Sequence, residues 1–173
     1  MIPTMDLKYS RMVDIPVGNL LYFLRGGQAL ALALCIEHPE TSGPGVVRLP
    51  LVLVGSAGSM RLPLVIGSAR NARCIDLGIK ASVMLAHPIA AVPRNTQQQL
   101  GPGYLLLSDT RLAVNSFYEG GLDNQAYWDV RQGHEYRIGA DDFVFITQWE
   151  LGVTARDGQF RRLVAYPQDY TTV

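Results

Sequence analysis

Hydrophobic and polar residues alternate along much of the chain, most regularly between Ile75 and Leu85. Every odd-numbered residue of this segment is apolar, and the residues between them are mostly small or polar. A period of two places the apolar residues on one face of a β-strand, whereas a helix would scatter them around its surface. The segment therefore predicts a strand with one buried face.

A second kind of alternation predicts a strand that is buried on both faces. Between Ala29 and Ile36, leucine or isoleucine alternates with alanine or cysteine. Because alanine and leucine are good helix formers, a helix competes most strongly here. A further turn or two of helix is predicted within Pro93–Leu100. The remaining predicted strands are Val17–Leu24, Val46–Val54, Arg61–Ile66, Tyr104–Leu107, Arg111–Tyr118, Phe143–Glu150, Leu151–Arg156 and Phe160–Tyr166.

Short turn sequences between these segments predict hairpins. Gly26 and Gly27 both tolerate positive φ, so they predict a two-residue turn between the strands that flank them. Asp157-Gly158, which lies between two strand patterns, is the strongest signal of this kind in the chain. Ser108–Thr110 is expected to join the strands on either side of it.

One short sequence occurs twice. Arg48–Ser56 reads RLPLVLVGS, and Arg61–Ser68 reads RLPLVIGS. We predict that the two copies pair as an antiparallel hairpin about Ala57–Gly58. The proline of each copy (Pro50 and Pro63) donates no ladder hydrogen bond, so each is expected at an edge, a bulge or an outward-pointing register. The alternative is an arm that pairs with a second subunit.

Together these patterns predict an all-β fold. We expect a single domain, residues 1–173, built as a barrel or sandwich of about ten antiparallel strands with at most short helices. The length of 173 residues is enough to bury a core, and 48% apolar with only 17% charged residues excludes a disordered chain. Similar segments near Gly18 and Gly103 suggest a weak duplication with halves at residues 17–95 and 101–166.

The chain carries no net charge, because it has 15 basic and 15 acidic residues. A protein that binds the phosphate backbone of nucleic acid usually has a basic excess, so no nucleic-acid partner is predicted. The charges are unevenly spread, since residues 41–108 carry a net charge of +5 and residues 109–173 a net charge of −4. A basic segment and an acidic one can attract each other within one chain or between copies.

The distribution of apolar residues and cysteines bears on the compartment. No apolar run reaches the ~18 residues of a membrane helix, and the first residues lack the apolar block of a secretory signal. Cys35 and Cys74 lie inside apolar strand patterns, and no Cys-x-x-Cys motif occurs. These features predict a cytoplasmic protein with two buried free thiols and no membrane partner.

Motifs for catalysis, cofactor binding or metal binding are absent or incomplete. Val54–Gly58 lacks the first glycine of the G-x-S-x-G nucleophile elbow, and Pro63 argues against the helix that must follow it. The histidines, His38, His87 and His134, include none of the close pairs that are typical of metal sites. We therefore predict no catalytic residue, no metal and no cofactor.

The segment that most suggests a ligand site is Phe117–Tyr136, where aromatic residues interleave with carboxylates. Gly120–Gly121 and the residues after it predict a long loop, and such loops are often functional. Aromatic rings beside carboxylates suit a sugar or a cationic ligand. Alternatively, the aromatics only cover one end of the fold. The candidate ligand-binding residues are Tyr118, Asp123, Tyr127, Trp128 and His134.

A smaller candidate site is formed by two arginines. Arg70 and Arg73 follow a Gly-Ser sequence that resembles a turn, so they are candidates for binding a small anion. The competing interpretation is an ordinary solvated loop. Nothing else in the segment selects a particular anion.

Two functions remain open from the sequence. The first is a non-enzymatic binding or assembly module that works as a homo-oligomer, because few charges leave apolar surface that a symmetric interface would cover. The alternative is an enzyme or a small-ligand-binding barrel with a pocket near residues 118–136. A deep pocket holding Tyr127, Trp128 and His134 would favour the second function, whereas a filled interior with flat apolar edges would favour the first.

Overall fold

A computed structural model of the chain describes residues 8–25, 29–39, 44–54, 63–85, 91–92, 103–109, 111–119, 121–138 and 143–166. Within these ranges the chain is mostly β-strand, and its helical segments are two short 3-10 turns, Met12–Asp14 and Gly67–Asn71. The all-β prediction is confirmed. The helix predicted at Pro93–Leu100 lies outside the described residues.

Twelve of the described strands form one large sheet. The strands are β1 (Lys8–Arg11), β2 (Asn19–Arg25), β3 (Ala29–Pro39), β4 (Val46–Val54), β5 (Leu64–Val65), β6 (Arg73–Lys80), β8 (Ala91–Val92), β9 (Leu105–Ser108), β10 (Leu112–Tyr118), β11 (Gly121–Asp129), β12 (Glu135–Tyr136) and β13 (Phe143–Ile146). Their order in the sheet is β1-β6-β2-β3-β4-β5-β10-β9-β13-β8, and β11 pairs with both β10 and β12. All of the pairs are antiparallel except β5–β10, which is parallel.

The other three described strands form a small sheet in the order β15-β14-β7. They are β7 (Ser82–Leu85), β14 (Trp149–Thr154) and β15 (Phe160–Tyr166). Leu34 and Leu51 of the large sheet share one buried cluster with Leu151 and Val164 of the small sheet. The main core therefore lies between the two sheets, in a sandwich-like arrangement rather than a closed barrel.

Strand β3 is buried on both faces, as its alternation of large and small residues predicts. The large residues Leu32, Leu34 and Ile36 belong to the core between the sheets. The small residues Ala31, Ala33 and Cys35 belong to a second core, which also contains Met12 and Ala69 of the two 3-10 turns. The small side chains allow these turns to lie close against the outer face of the large sheet.

The single strand predicted at Ile75–Leu85 is divided between the two sheets. Strand β6 ends at Lys80, and β7 begins at Ser82 as an edge of the small sheet. The pairing of β6 with β2 shifts register between Lys80 and Asp76, and Gly78 within that stretch has φ +64°. This bulge bends the chain, and the buried Ala81 connects the two sheets. The period of two persists because both strands direct the same face toward the core.

The hairpin predicted from the repeated sequence is confirmed in its pairing. Strands β4 and β5 are antiparallel, with Leu51 opposite Val65, while the turn between them lies outside the described residues. The Pro50 carbonyl accepts a hydrogen bond from the Ile66 N–H. In an antiparallel ladder the N and the C=O of one residue point toward the same neighbouring strand. The nitrogen of Pro50, which has no hydrogen to donate, therefore points toward the end of the short β5 and not toward β3. The long β3–β4 ladder is left intact.

Three further hairpins predicted from turn sequences also form, and the loop between β14 and β15 differs from the prediction. The two-residue turn predicted at Gly26 and Gly27 lies outside the described residues. Strands β2 and β3 are antiparallel, as are β9 and β10. Between β14 and β15 the turn has three residues instead of two, because the Gly158 N–H donates to the Ala155 carbonyl and the Ala155 N–H donates to the Gln159 carbonyl. Gly158 has φ +79°, the geometry of a type I turn followed by a glycine bulge.

The prediction of a long loop after Gly120 is wrong. Strand β11 starts at Gly121 and runs for nine residues to Asp129, paired with β10. A register shift between Phe117 and Tyr118 accommodates the tight connection of the two strands. Cross-strand pairing therefore overrides the local signal of the glycines and polar residues.

Two aromatic residues of the small sheet attach it to the large one, and we call this contact the aromatic joint. The rings of Trp149 and Tyr166 stack with their centroids 4.3 Å apart. Trp149 Nε1 donates to the Gly103 carbonyl at 2.7 Å, and the Tyr166 hydroxyl donates to the Leu53 carbonyl at 3.1 Å. A Cβ on Gly103 would lie 2.9 Å from the Tyr166 ring, so this close contact requires glycine.

Candidate functional site

Three rings from three strands meet where β3 ends beside β10 and β11, and we call them the His38 cluster. The His38 ring lies 5.4 Å from the Tyr118 ring and 6.0 Å from the Trp128 ring, centroid to centroid. The Tyr118 and Trp128 rings are 6.2 Å apart. Trp128 is fully buried, while His38 and Tyr118 are half-buried.

The turn between β11 and β12 holds the end of β3 in place, and we call this contact the glycine joint. The Glu37 N–H donates to the Gly133 carbonyl at 2.9 Å, and the Gly18 N–H donates to the Cys35 carbonyl at 2.8 Å. Gly133 has φ +70°, and a Cβ there would lie 2.6 Å from the Cys35 oxygen. Only glycine fits this position without displacing backbone.

A buried carboxylate shapes the same turn. Asp129 Oδ1 accepts hydrogen bonds from the backbone N–H groups of Arg131 at 2.9 Å and Gln132 at 2.8 Å. Its other oxygen lies 3.6 Å from Arg111 Nη1. The side chain of an aspartate can satisfy donors that a tight turn leaves unpaired, so Asp129 fixes the turn that contacts β3.

The polar groups of the His38 cluster have a defined arrangement. Trp128 Nε1 donates to the Ser116 hydroxyl at 2.9 Å. Burial raises the pKa of Tyr118, and the negative charge of Glu135 raises it further, so the phenol stays neutral at physiological pH. Beside the cluster, His134 Nδ1 lies 3.7 Å from Glu37 Oε1. The half-buried part of the cluster thus consists of two aromatic rings, His38 and Tyr118, and the phenol of Tyr118 is neutral.

The candidate ligand-binding residues are only partly brought together. Tyr118 and Trp128 are in contact, and His134 lies at the neighbouring turn. Tyr127 points to the opposite face of β11, where its hydroxyl lies 2.7 Å from that of Tyr104. Asp123 belongs to β11, but its side chain is outside the described part of the structure. The structure therefore places Tyr118 and Trp128 on one face of the large sheet and Tyr127 on the other.

The candidate anion-binding arginines are both exposed. Arg70 lies in the second 3-10 turn, and Arg73 lies in β6 opposite Arg11 of β1. Arg70 lines an open groove of about 380 Å³ together with Arg48, whereas Arg73 does not line it. Arg48 donates to the Val13 and Ile15 carbonyls and therefore ties β4 to the first 3-10 turn.

A second open groove, of about 410 Å³, runs along β7 between the two sheets, and we call it the β7 groove. Its apolar residues come from β7 (Val83 and Leu85) and from the large sheet (Leu107 and Leu112). Its polar residues are Ser108, Asp109, Arg111, Asp129, Arg131 and Gln132. No local sequence pattern indicates this groove, because it depends on which sheet residues 82–85 join.

Further features bear on the class of protein. Within the described ranges, no cluster of three or more histidine, cysteine or acidic residues is arranged to hold a metal ion. The same ranges contain no helix that is long and apolar enough to cross a membrane. Comparison of the chain with protein-family models, with curated proteins and with solved structures gave no match.

Proposed function

We propose that this protein is a non-enzymatic binding or assembly module that acts as a homo-oligomer in the cytoplasm. The observation that carries the proposal is where the apolar surface lies. Trp128 is fully buried and Tyr127 faces the other side of β11, so these two residues are packed into the fold and do not line a common pocket. The most exposed large apolar side chains of the described chain are Tyr9, Val13, Val46, Met84 and Val144.

Tyr9 and Met84 suit an interface because each lies on a strand that ends a sheet, whereas Val144 lies on β13, between β8 and β9. Tyr9 is 75% exposed on β1, which ends the large sheet, and Met84 is 44% exposed on β7, which ends the small sheet. Exposed apolar side chains at sheet edges favour contact with another protein surface, and an interface between identical copies covers them on every copy.

The state of the nucleophilic groups also supports a non-enzymatic role. Cys35 and Cys74 are buried free thiols, and burial raises their pKa values to about 12 and about 11. They are therefore neutral and unreactive at physiological pH. The buried Ser116 hydroxyl accepts a hydrogen bond from Trp128 and donates one to the Ala126 carbonyl. Its oxygen is thus engaged within the fold.

A second candidate function is the binding of a small ligand, and the His38 cluster is the observation that favours it. The half-buried rings of His38 and Tyr118 lie near Glu37 and His134, a combination that suits a sugar or a cation. Binding there would use the margin of the cluster, because Trp128 itself is buried. This candidate requires a bound ligand, whereas the first requires a bound copy.

Native mass spectrometry and light scattering of the purified protein test both candidates together. We expect a defined multiple of 19.0 kDa at micromolar concentration. The oligomer should persist at about 0.5 M salt, because exposed ion pairs contribute only ~0–1 kcal/mol and are screened. A clean 19.0 kDa monomer would refute the first candidate, and a retained small molecule on that monomer would favour the second.

A further inference from the structure

Edge strands of β-sheets are usually protected, and the described edges of this protein differ in that respect. Strand β1 contains Lys8 and Arg11, and β15 contains Arg161 and Arg162. Charged side chains at an edge oppose pairing with another strand. The edge strands β8 and β12 each contain two residues in the described part of the chain, which also limits pairing there.

Strand β7 lacks both forms of protection. Its sequence is Ser-Val-Met-Leu, with no charged residue, and it pairs with β14 along one edge. On its other edge the described part of the chain supplies no strand, and Val83 and Leu85 of β7 line the β7 groove. An uncharged four-residue edge beside an open groove is the arrangement that an added strand would complete.

We propose that β7 pairs with β7 of a second copy, antiparallel about a two-fold axis, and thereby joins the two small sheets into one six-stranded sheet. The proposal rests on the homo-oligomer proposed above and names its interface. Because such an axis is perpendicular to the sheet, the outward-facing side of the small sheet in one copy lies on the same side as that of the second copy. It would place Met84 opposite Met84 of the second copy and Val83 opposite Leu85 of the second copy.

Charge favours a second copy over another occupant. The rim of the β7 groove contains two arginines and two aspartates, and Arg111 and Asp129 already lie 3.6 Å apart. A surface that pairs with itself must be close to neutral, whereas a groove for an acidic or basic peptide would carry an excess of one sign.

The β15 edge is a poorer partner for β7. It carries Arg161 and Arg162, which form ion pairs with Asp157 and Glu150 of the same chain. Pairing β15 of one copy with β7 of the next would also leave an open β7 at the end of each chain of copies, and such head-to-tail contacts close only as rings. The symmetric β7–β7 contact leaves no β7 edge exposed.

Cross-linking through residue 84 tests this interface directly. Directly opposite residues of antiparallel strands have Cβ atoms about 4.5–5.5 Å apart, close to the separation that a disulfide requires. We expect the Met84→Cys variant to form a covalent dimer on mild oxidation. Cys35 and Cys74 are buried, so they do not contribute to the cross-link. The matched control is Val144→Cys on β13, where the native side chain is 39% exposed; it should remain uncross-linked.

A charge at the same position gives a second measurement. Met84→Lys places two like charges opposite each other and removes an apolar contact, so self-association should weaken at least about tenfold in analytical ultracentrifugation. Val144→Lys should associate like the unchanged protein. If Met84→Lys fails to give the native circular dichroism spectrum, the Met84→Cys cross-link decides.

The outcomes separate the two proposals. An unchanged protein that is oligomeric, together with a Met84→Cys variant that does not cross-link, overturns the β7 interface and leaves the homo-oligomer standing. A monomeric unchanged protein overturns both. A cross-linked Met84→Cys dimer with a clean Val144→Cys control supports the β7 interface.

Discussion

The aromatic joint and the glycine joint both tie distant parts of the chain together, but they do so by different means. At the aromatic joint, Trp149 and Tyr166 fill space with large rings and each donates one hydrogen bond to the large sheet. At the glycine joint, Gly18 and Gly133 remove side chains so that backbone groups touch. The aromatic joint depends on two large side chains, whereas the glycine joint depends on the absence of side chains at Gly18 and Gly133.

The difference predicts opposite responses to a change in side-chain size. Truncation should damage the aromatic joint because it leaves a cavity. Enlargement should damage the glycine joint because there is no room for an added atom. The following substitutions test the contrast, beginning with the largest expected effect.

Trp149→Ala should have the largest effect, lowering the free energy of unfolding by about 3–5 kcal/mol. It removes the stacked ring and leaves the Gly103 carbonyl without its indole donor. Urea denaturation followed by circular dichroism measures the loss. The control Tyr166→Phe keeps its ring and loses the hydrogen bond to the Leu53 carbonyl, so it should cost about 1 kcal/mol. Equal losses in the two variants would contradict the role assigned to the ring.

Gly133→Ala should lower the free energy of unfolding by about 2–4 kcal/mol, because it combines a strained positive φ with a backbone overlap. The added methyl group would lie 2.6 Å from the Cys35 oxygen. Gly158→Ala is the matched control, since Gly158 has φ +79° but no atom within 4 Å of the added Cβ. A similar cost at both glycines would show that strain alone, and not the close contact, limits the glycine joint.

Asp129→Ala should destabilise the protein by about 1–2 kcal/mol, because two turn N–H groups lose their acceptor. Asp129→Asn retains a side-chain oxygen and should lose less. Hydrogen exchange at Arg131 and Gln132 reports the effect locally. Unchanged exchange in Asp129→Ala would mean that the turn holds its shape without the carboxylate.

The smallest effect is a pH dependence at the glycine joint, where Cys35 lies. Burial raises the pKa of its thiol to about 12, above the ordinary value of 9.0. The unfolded chain therefore ionises first, and the free energy of unfolding should fall as the pH rises above about 9. The loss should be on the order of 1 kcal/mol or less for this thiol at pH 9.5. Denaturation at pH 7.5 and 9.5 should show a weaker dependence in Cys35→Ala; an identical dependence would exclude this origin.

Local pattern was sufficient to predict the strands and most hairpins, because these depend on period and turn chemistry. The large and small residues of β3 also indicated its two buried faces. The division of residues 75–85 between two sheets was not predicted, since the inward face stays the same across the bend. Gly78 was the local clue, because a glycine inside a strand pattern often marks a bulge.

The arrangement of the candidate site was harder to predict from the sequence than the strands were. Tyr127 and Trp128 are adjacent in sequence, so once they lie on a strand they must face opposite sides. The incorrect loop prediction hid this constraint. The contact of His38 with Trp128 joins residues that are far apart in the chain, and no local pattern indicates such a pairing. The β7 groove likewise depends on residues 82–85 pairing with residues 149–152.

The separation of β7 from its partner strand has a consequence for synthesis on the ribosome. Strand β7 ends at Leu85, and β14 begins at Trp149. At about 5–20 residues per second, roughly 3–13 s pass before the ribosome adds the first residue of β14. During that interval β7, which has no charged residue, is not yet paired with β14. Neighbouring nascent chains on one messenger RNA then present the same unpaired edge, so pairing between copies through the edge that β14 later occupies competes with correct folding.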